Sequence, residues 1–281
     1  MYLSIDLGAS LTRMASSSDL INIDKTEVFH SAADLNEETF KIEKAMKSLS
    51  GGKEIEAISI GIAGVINKES KAVERSPNYP QLNRTQIRKL LGSFGMHEKI
   101  FCANDSEMAG LGEAVLGTGS ECNSVAYLSL GTGVGGVLIE NKKLNSGTKN
   151  YEPGHQIINF DTDICDRYNI CGSLEAYVSG TAFKKIYKQD PITCEDPKIW
   201  FEYGKILGVG ILNITMIWNP QCVVIGGGMS EKFGMFGGGV NETLSNITFV
   251  SVPKIKKSAF GQGSGLVGGL VLISQEIGYK R

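Results

Sequence analysis

Apolar and polar positions fall in blocks whose period changes along the chain. Tyr2 to Ile5 is a short apolar run that enters the turn Asp6-Leu7-Gly8-Ala9-Ser10. Leu11 to Ala15 resumes an extended pattern, so the two runs predict a β-hairpin. From Asn36 to Leu49 the apolar residues Phe40, Ile42, Ala45, Met46 and Leu49 fall at helical spacing. Ala57 to Ile62 predicts a buried strand that breaks at Gly61 and Gly64. Asn83, with Gln86 three residues on, has the form of a capping box. It predicts a helix with Ile87, Leu90 and Leu91 facing inward, stopped by Gly92. Ile100 to Ala103 predicts a strand ending at Asn104-Asp105, with a helix from Ser106.

The second half restarts this programme. Ser124 to Leu130 predicts a strand, Gly131 to Gly136 a turn and Val137 to Glu140 the returning strand. Tyr127-Leu128-Ser129-Leu130-Gly131-Thr132-Gly133 echoes Tyr2-Leu3-Ser4-Ile5-Asp6-Leu7-Gly8, a weak internal repeat that suggests two related domains. A long helix is expected from Pro197, capped by Asp196 and ended before Asn219-Pro220. Trp200, Phe201, Ile206, Leu207, Ile211, Ile214 and Ile217 are its apolar positions. Cys222 to Ile225 predicts a strand emptying into Gly226-Gly227-Gly228, and Gly265 to Ile277 a glycine-opened apolar helix. No Ser/Pro-rich linker separates the halves, so a hinge is expected near residue 104.

Composition narrows the classes. A chain of 281 residues allows one large or two medium domains. The net charge of -2 argues against a nucleic-acid-binding surface, and no apolar run is long enough to span a membrane. The N-terminus lacks the basic and apolar regions of a signal peptide. With six scattered cysteines, that predicts reduced thiols in a cytoplasm. The 35 glycines are the outlier, clustered at 131–136, 226–228, 237–239 and 261–269. Such clusters beside strands let backbone approach a neighbour closely, often a phosphate. The run from Gly234 to Gly239 reads as a surface turn, or else as a mobile loop near a nucleotide.

Several of these junctions can carry chemistry. In Asp6-Leu7-Gly8-Ala9-Ser10, Gly8 frees backbone N–H groups for a phosphate, Ser10 adds a hydroxyl, and Asp6 can hold a magnesium ion through water. The same residues also suit a plain hairpin turn. Gly131-Thr132-Gly133-Val134-Gly135-Gly136 leaves a surface without side chains. It is no Walker loop, because no Gly-Lys-Ser/Thr follows, and no dinucleotide fingerprint, because Val137-Leu138-Ile139 continues as a strand. Asp105, at the end of a buried strand, suits a base for an acceptor hydroxyl and equally suits a helix N-cap. Glu152, His155 and Glu175 could bind sugar hydroxyls or lie in a surface loop.

Taken in order, the blocks resemble the ROK family of repressors, open reading frames and sugar kinases. They are Asp6-x-Gly8-x-Ser10-x-x-Arg13, Gly61-x-Ala63-Gly64, Asn104-Asp105, Leu130-Gly131-Thr132-Gly133-x-Gly135-Gly136, Glu152-x-Gly154-His155, Leu174-Glu175 and Val223-Val224-Ile225-Gly226-Gly227-Gly228. The resemblance implies the actin-like ATPase (ribonuclease H-like) fold, two α/β domains with a hinge and an interdomain cleft. The domains would be residues 1–103 and 104–261, with a C-terminal helix of about 262–281 packed back on the first. It implies a sugar substrate, ATP and Mg2+, with Asp105 as general base. Gly64, Asn78, Asn104, Glu152, His155 and Glu175 would then hold the sugar. Gly8, Ser10, Thr132 and Gly133 would line the phosphates, with Gly227 and Gly228 at the adenosine. Glucose is the expected acceptor, with N-acetylhexosamines and fructose as alternatives, and a homodimer is expected.

One feature departs from the family. Its structural zinc uses a histidine and three cysteines in a Cys-x-Cys-Gly-x-x-Gly-Cys-x-Glu pattern. Counting back from Glu175, those cysteine positions hold Asp166, Tyr168 and Ser173. His155, Cys165 and Cys171 could form a modified Zn2+ site; a Cys165–Cys171 disulfide or two free thiols are equally simple. Two other classes compete. A sugar-sensing regulator would carry an added DNA-binding segment, for which a first core strand at Tyr2 leaves no room. An actin-like scaffold would need no set such as Asn104, Asp105, Glu152 and His155.

Overall fold

The structure is a computed structural model, and it describes every residue except Ala9, Asn78, 97–98, 146–150, Asn246 and 280–281. Contacts divide it into two units. The first comprises residues 1–112 and 263–281 and the second residues 113–145 and 151–262.

In the first unit, β1 (Tyr2–Leu7) turns back as β2 (Leu11–Ser17), which pairs with β3 (Lys25–His30). The predicted hairpin is present, with Asp6 opposite Arg13. α1 (Leu35–Ser50) is capped by the Asp34 carboxylate, which accepts the Asn36 and Glu37 N–H groups. Gly51 ends it in the left-handed region, with φ of 56°. β4 (Ala57–Ile62) is buried along its whole length and lies parallel to β1, as a central strand of a covered sheet requires. A small hairpin of β5 (Val65–Asn67) and β6 (Ala72–Arg75) and the single turn α2 (Ile87–Leu90) lead to β7 (Ile100–Asn104) and α3 (Asp105–Val115). The sheet order is β3-β2-β1-β4-β7.

The capping box expected at Asn83 does not form. Asn83 follows the short 3-10 turn Pro80–Leu82, and its side-chain oxygen accepts the Ser76 N–H instead. Gln86 occupies the cap position of α2 without a side-chain bond.

In the second unit, β8 (Ser124–Leu130) and β9 (Val134–Glu140) form an antiparallel hairpin. α4 (Leu174–Val178), α5 (Gly180–Tyr187) and α6 (Pro197–Trp218) follow. β10 (Cys222–Gly226) lies parallel to β8, and α7 (Phe233–Ser245) leads to β11 (Lys254–Lys257). The sheet order is β11-β10-β8-β9. α8 (Ser264–Glu276) packs on β1 and β4 of the first unit. The sequence echo has a structural counterpart: β1 and β8 each open a hairpin, and each then takes a parallel neighbour on the other edge.

Two glycine runs do not act as expected. β9 begins at Val134, so only Gly131 to Gly133 form the turn. Gly136 is already in the strand, where a Cβ would lie 2.5 Å from the Tyr127 carbonyl oxygen. The run from Gly234 to Gly239 is neither a surface turn nor a loop; it lies inside α7. A Cβ on Gly239 would stand 2.1 Å from the Phe201 carbonyl oxygen and one on Gly204 2.0 Å from that of Phe236. The glycines let α6 and α7 pack backbone to backbone. Beside them Trp200, Phe183, Tyr203 and Phe236 fill the core of the second unit. Trp200 keeps its indole N–H satisfied on the Cys194 carbonyl at 2.9 Å.

Candidate functional site

In the first unit the chemistry gathers at the C-terminal ends of the parallel strands, where open α/β sheets place ligands. β1 delivers Asp6 and then Gly8, β4 leads to Gly64, and β7 delivers Asn104 directly before Asp105. The Asn104 Nδ2 donates to the Gly64 carbonyl at 3.0 Å. Its Oδ1 accepts the Ser106 N–H at 2.9 Å, while Glu107 Oε2 accepts the Asn104 N–H at 3.1 Å. That reciprocal pair gives the capping role at α3 to Asn104. Asp105 additionally accepts the Ser106 N–H at 2.8 Å.

The electrostatics single out two carboxyls. Burial, with the Asp105 charge added, pushes Asp6 up to about 7, against the lowering effect of Arg13. Arg13 had no role assigned from sequence; the register of β1 and β2 sets it opposite Asp6. Burial also raises the Asp105 carboxyl, partly offset by hydrogen bonds from Ser106. The start of α8 closes on Asp6: a Cβ on Gly265 would lie 3.1 Å from its carboxylate. Gly8 has no room for a side chain, since a Cβ there would meet the Leu11 carbonyl oxygen at 2.8 Å. The Gly8 carbonyl accepts the Ser31 hydroxyl, and Ser10 follows it as an exposed residue. Asn78 lies outside the described residues.

In the second unit the turn after β8 meets Glu175. The buried Glu175 carboxylate accepts the Val134 N–H on Oε2 at 2.7 Å, and Arg167 Nε lies 3.2 Å from Oε1. A Cβ on Gly133 would be 2.5 Å from Glu175 Oε2, so a side chain there would push directly on that carboxylate. Thr132 is exposed, and its carbonyl accepts the Thr181 hydroxyl. Gly227, with φ of 78°, packs under the Leu130 carbonyl, whereas Gly228 faces open space. Glu152 is exposed, and its carbonyl accepts the His155 N–H at 3.1 Å.

His155 Nδ1 lies 2.9 Å from Asp166 Oδ2. Burial works to raise the Asp166 carboxyl. Hydrogen bonds from the Ile170 N–H, the Ser173 hydroxyl, the Tyr168 N–H and His155 outweigh it and hold the group below its ordinary value. One ligand atom each of His155, Asp166 and Glu175 lies within 4.8 Å of the other two.

The modified zinc set does not survive in the structure. Cys165 and Cys171 form a disulfide across a local β-bridge, so neither offers a thiolate, and the expectation that all cysteines stay reduced is corrected with it. The other four cysteines are free thiols. Tyr168 and Ser173 at the family's cysteine positions are poor zinc ligands, and Ser173 Oγ donates to Asp166. The cluster does not fit zinc. Sequence reading also missed the partners that hold His155 and Glu175. Asp166 registered there only as a lost cysteine, and Arg167 not at all, because neither neighbour is close in sequence.

Twin sheets, each opening on a hairpin joined to parallel strands, define an α/β protein with the actin-like ATPase fold. Residues 2–276 match the ROK family, and the chain belongs to that family. It is 28% identical over 242 residues to an N-acetylgalactosamine kinase of Shewanella sp. (strain ANA-3), covering 76% of this chain and 77% of that protein. It is 29% identical over 261 residues to a xylose repressor of Caldicellulosiruptor bescii, covering 82% of this chain and 63% of the repressor. The crystal structure of a ROK family glucokinase from Streptomyces griseus, in complex with glucose and AMPPNP, superimposes with a TM-score of 0.82 at 20% identity. It spans 98% of this chain and 99% of that one. No helix among the described residues is long and apolar enough to cross a membrane.

Proposed function

We propose that this chain is a sugar kinase that moves the γ-phosphate of ATP onto a hexose hydroxyl, with glucose as the first acceptor to test. The observation that carries the reading is the placement of Asp105: a half-buried carboxyl, raised above its ordinary value by desolvation, beside Asp6 and directly after β7. A base of that kind suits removal of a hydroxyl proton at neutral pH. The Streptomyces glucokinase holds glucose and an ATP analogue on the same fold.

In this reading Asp105 accepts the proton of the attacking hydroxyl. Asn104 and Gly64, already tied together, hold the sugar from the first unit, and Asn78 keeps the sugar-contacting role that the family pattern gives it. His155, Glu175 and Glu152 hold hydroxyls in the second. The glycine turns at Gly8 and at Thr132-Gly133, with Ser10, take phosphate oxygens through backbone N–H groups and a hydroxyl. Gly228, facing open space beside Gly227, leaves room for the adenosine. A magnesium ion, when bound, neutralises phosphate charge, and Asp6 would hold it through water. Positioning and neutralisation are what phosphoryl transfer mostly requires. A homodimer belongs to the same reading, and light scattering of the purified chain checks it.

The test is ADP release with Mg-ATP against glucose, mannose, fructose, N-acetylglucosamine, N-acetylgalactosamine and N-acetylmannosamine. Stimulation by one sugar supports the kinase and names its acceptor. A flat panel, with sugar binding intact by calorimetry, would move the chain to the sensing role that the name of its repressor relative suggests.

A further inference from the structure

We propose that Asp166 and Arg167, adjacent and oppositely charged, are positioning residues that fix His155 and Glu175 for sugar binding without a structural metal. The proposal rests on the kinase reading for the role of His155 and Glu175, and on geometry for the rest.

Asp166 is saturated as an acceptor. Oδ1 takes the Tyr168 N–H at 2.8 Å and the Ile170 N–H at 3.0 Å. Oδ2 takes the Ser173 hydroxyl at 2.8 Å and faces His155 Nδ1 at 2.9 Å. Its side chain has no exposed surface. An ionised carboxylate can only accept, so His155 must present Nδ1–H to it. That assigns the tautomer and leaves Nε2 as the ring's acceptor, able to receive a sugar hydroxyl proton. The Tyr168 ring meets the imidazole edge-on at 5.2 Å and fixes its plane from another side.

Arg167 reaches the other way. Its Nε lies 3.2 Å from Glu175 Oε1, and its guanidinium carbon stands 4.9 Å over the Tyr168 ring. Glu175 is tied at its second oxygen by the Val134 N–H. One dipeptide therefore grips both candidate sugar ligands, and Tyr168 touches each grip.

The same contacts explain why the cluster is no cation site. Both Asp166 oxygens carry two donors, and both Glu175 oxygens are engaged. Arg167 supplies a fixed positive charge where a metal would add a second. A histidine ligand of a metal is normally oriented by its outer shell. Here a carboxylate orients the histidine directly.

The experiment takes the full-length chain with 15N-labelled histidine, and the variants Asp166→Asn and Arg167→Gln. His155 resonances are assigned with His155→Gln. The wild type is expected to show His155 protonated on Nδ1 and to contain no stoichiometric zinc by elemental analysis. Asp166→Asn should raise the KM for sugar about 10- to 100-fold and blur the tautomer signature. Arg167→Gln, at a partly exposed position less exposed to folding failure, should raise the KM for sugar with the KM for ATP unchanged. Arg167→Lys should restore part of the loss. One zinc per chain, a His155 protonated on Nε2, or an unchanged sugar KM in both variants would overturn the proposal. If the wild type phosphorylates no sugar, the kinase reading fails; the tautomer and zinc results still decide the positioning claim by themselves.

Discussion

Single residues carry most of the chemistry, and two of them and one cysteine pair yield direct tests. Asp6 titrates near 7, above its ordinary 3.8, chiefly because it is buried. Between those values the folded chain holds a proton that the unfolded chain has lost, so this group's contribution to stability falls as pH rises through that window. Asp6→Asn should therefore be more heat-stable than the wild type at pH 8, by a few degrees, and lose that advantage near pH 4. Thermal melts at the two values decide it. Glu113 is fully buried and accepts from the Thr118, Ala259 and Phe260 N–H groups and the Ser258 hydroxyl. Glu113→Gln turns an N–H2 group toward those donors and should cost about 1–3 kcal/mol in urea unfolding. Thiol titration of the unreduced, denatured chain should count four reactive cysteines, and six would contradict the Cys165–Cys171 bond. Asp6, Asn104 and Asp105 were legible as candidates because each sits at a strand boundary that hydrophobic periodicity marks, and Glu175 through its place after the Glu152–His155 cluster and in the family pattern. Asp166 and Arg167 were not, since their roles depend on a fold-back that brings 166–167 to 155 and 175.

At the scale of elements, periodicity located the hairpins, β4, α1 and α6 well. β4 and β10 are buried along their whole length because both sheet faces are covered, and α6 carries its own cap and stop signals. Glycine was the failure. The run from Gly234 to Gly239 read as a surface turn or loop, yet it lies inside α7, and Gly239 meets Gly204 of α6 at a close approach. A glycine that spares a Cβ for a neighbouring backbone has the same letter as one that spares it for a phosphate, and only the tertiary partner separates them. Gly204→Ala tests this: its Cβ would meet the Phe236 carbonyl at 2.0 Å, so α6 and α7 must separate. A loss of about 1–3 kcal/mol and a lower Tm are expected, although alanine is the better helix former. No loss would contradict the close-packing account. The Asn83 capping box failed for a related reason, because the asparagine side chain found the Ser76 N–H rather than its own helix.

At the scale of the whole molecule, a strand-and-hairpin programme occurs twice, and each copy ends its hairpin strand in a glycine turn. The weak echo of residues 2–8 in residues 127–133 was the sequence trace of that duplication. The family follows from the match over residues 2–276, and the fold from the twin sheets and the likeness to solved ROK structures. Which sugar is taken does not follow, because the scaffold is shared with kinases and repressors alike. The most direct measurement is transfer of label from γ-32P-ATP to the sugar selected by the panel, comparing the wild type with Asp105→Ala. The wild type is expected to yield labelled sugar phosphate and the variant to lose about 100- to 10,000-fold in kcat, with sugar binding retained by calorimetry. Equal transfer by both proteins would contradict the assignment of Asp105 as the base, and no transfer by the wild type would contradict the kinase itself.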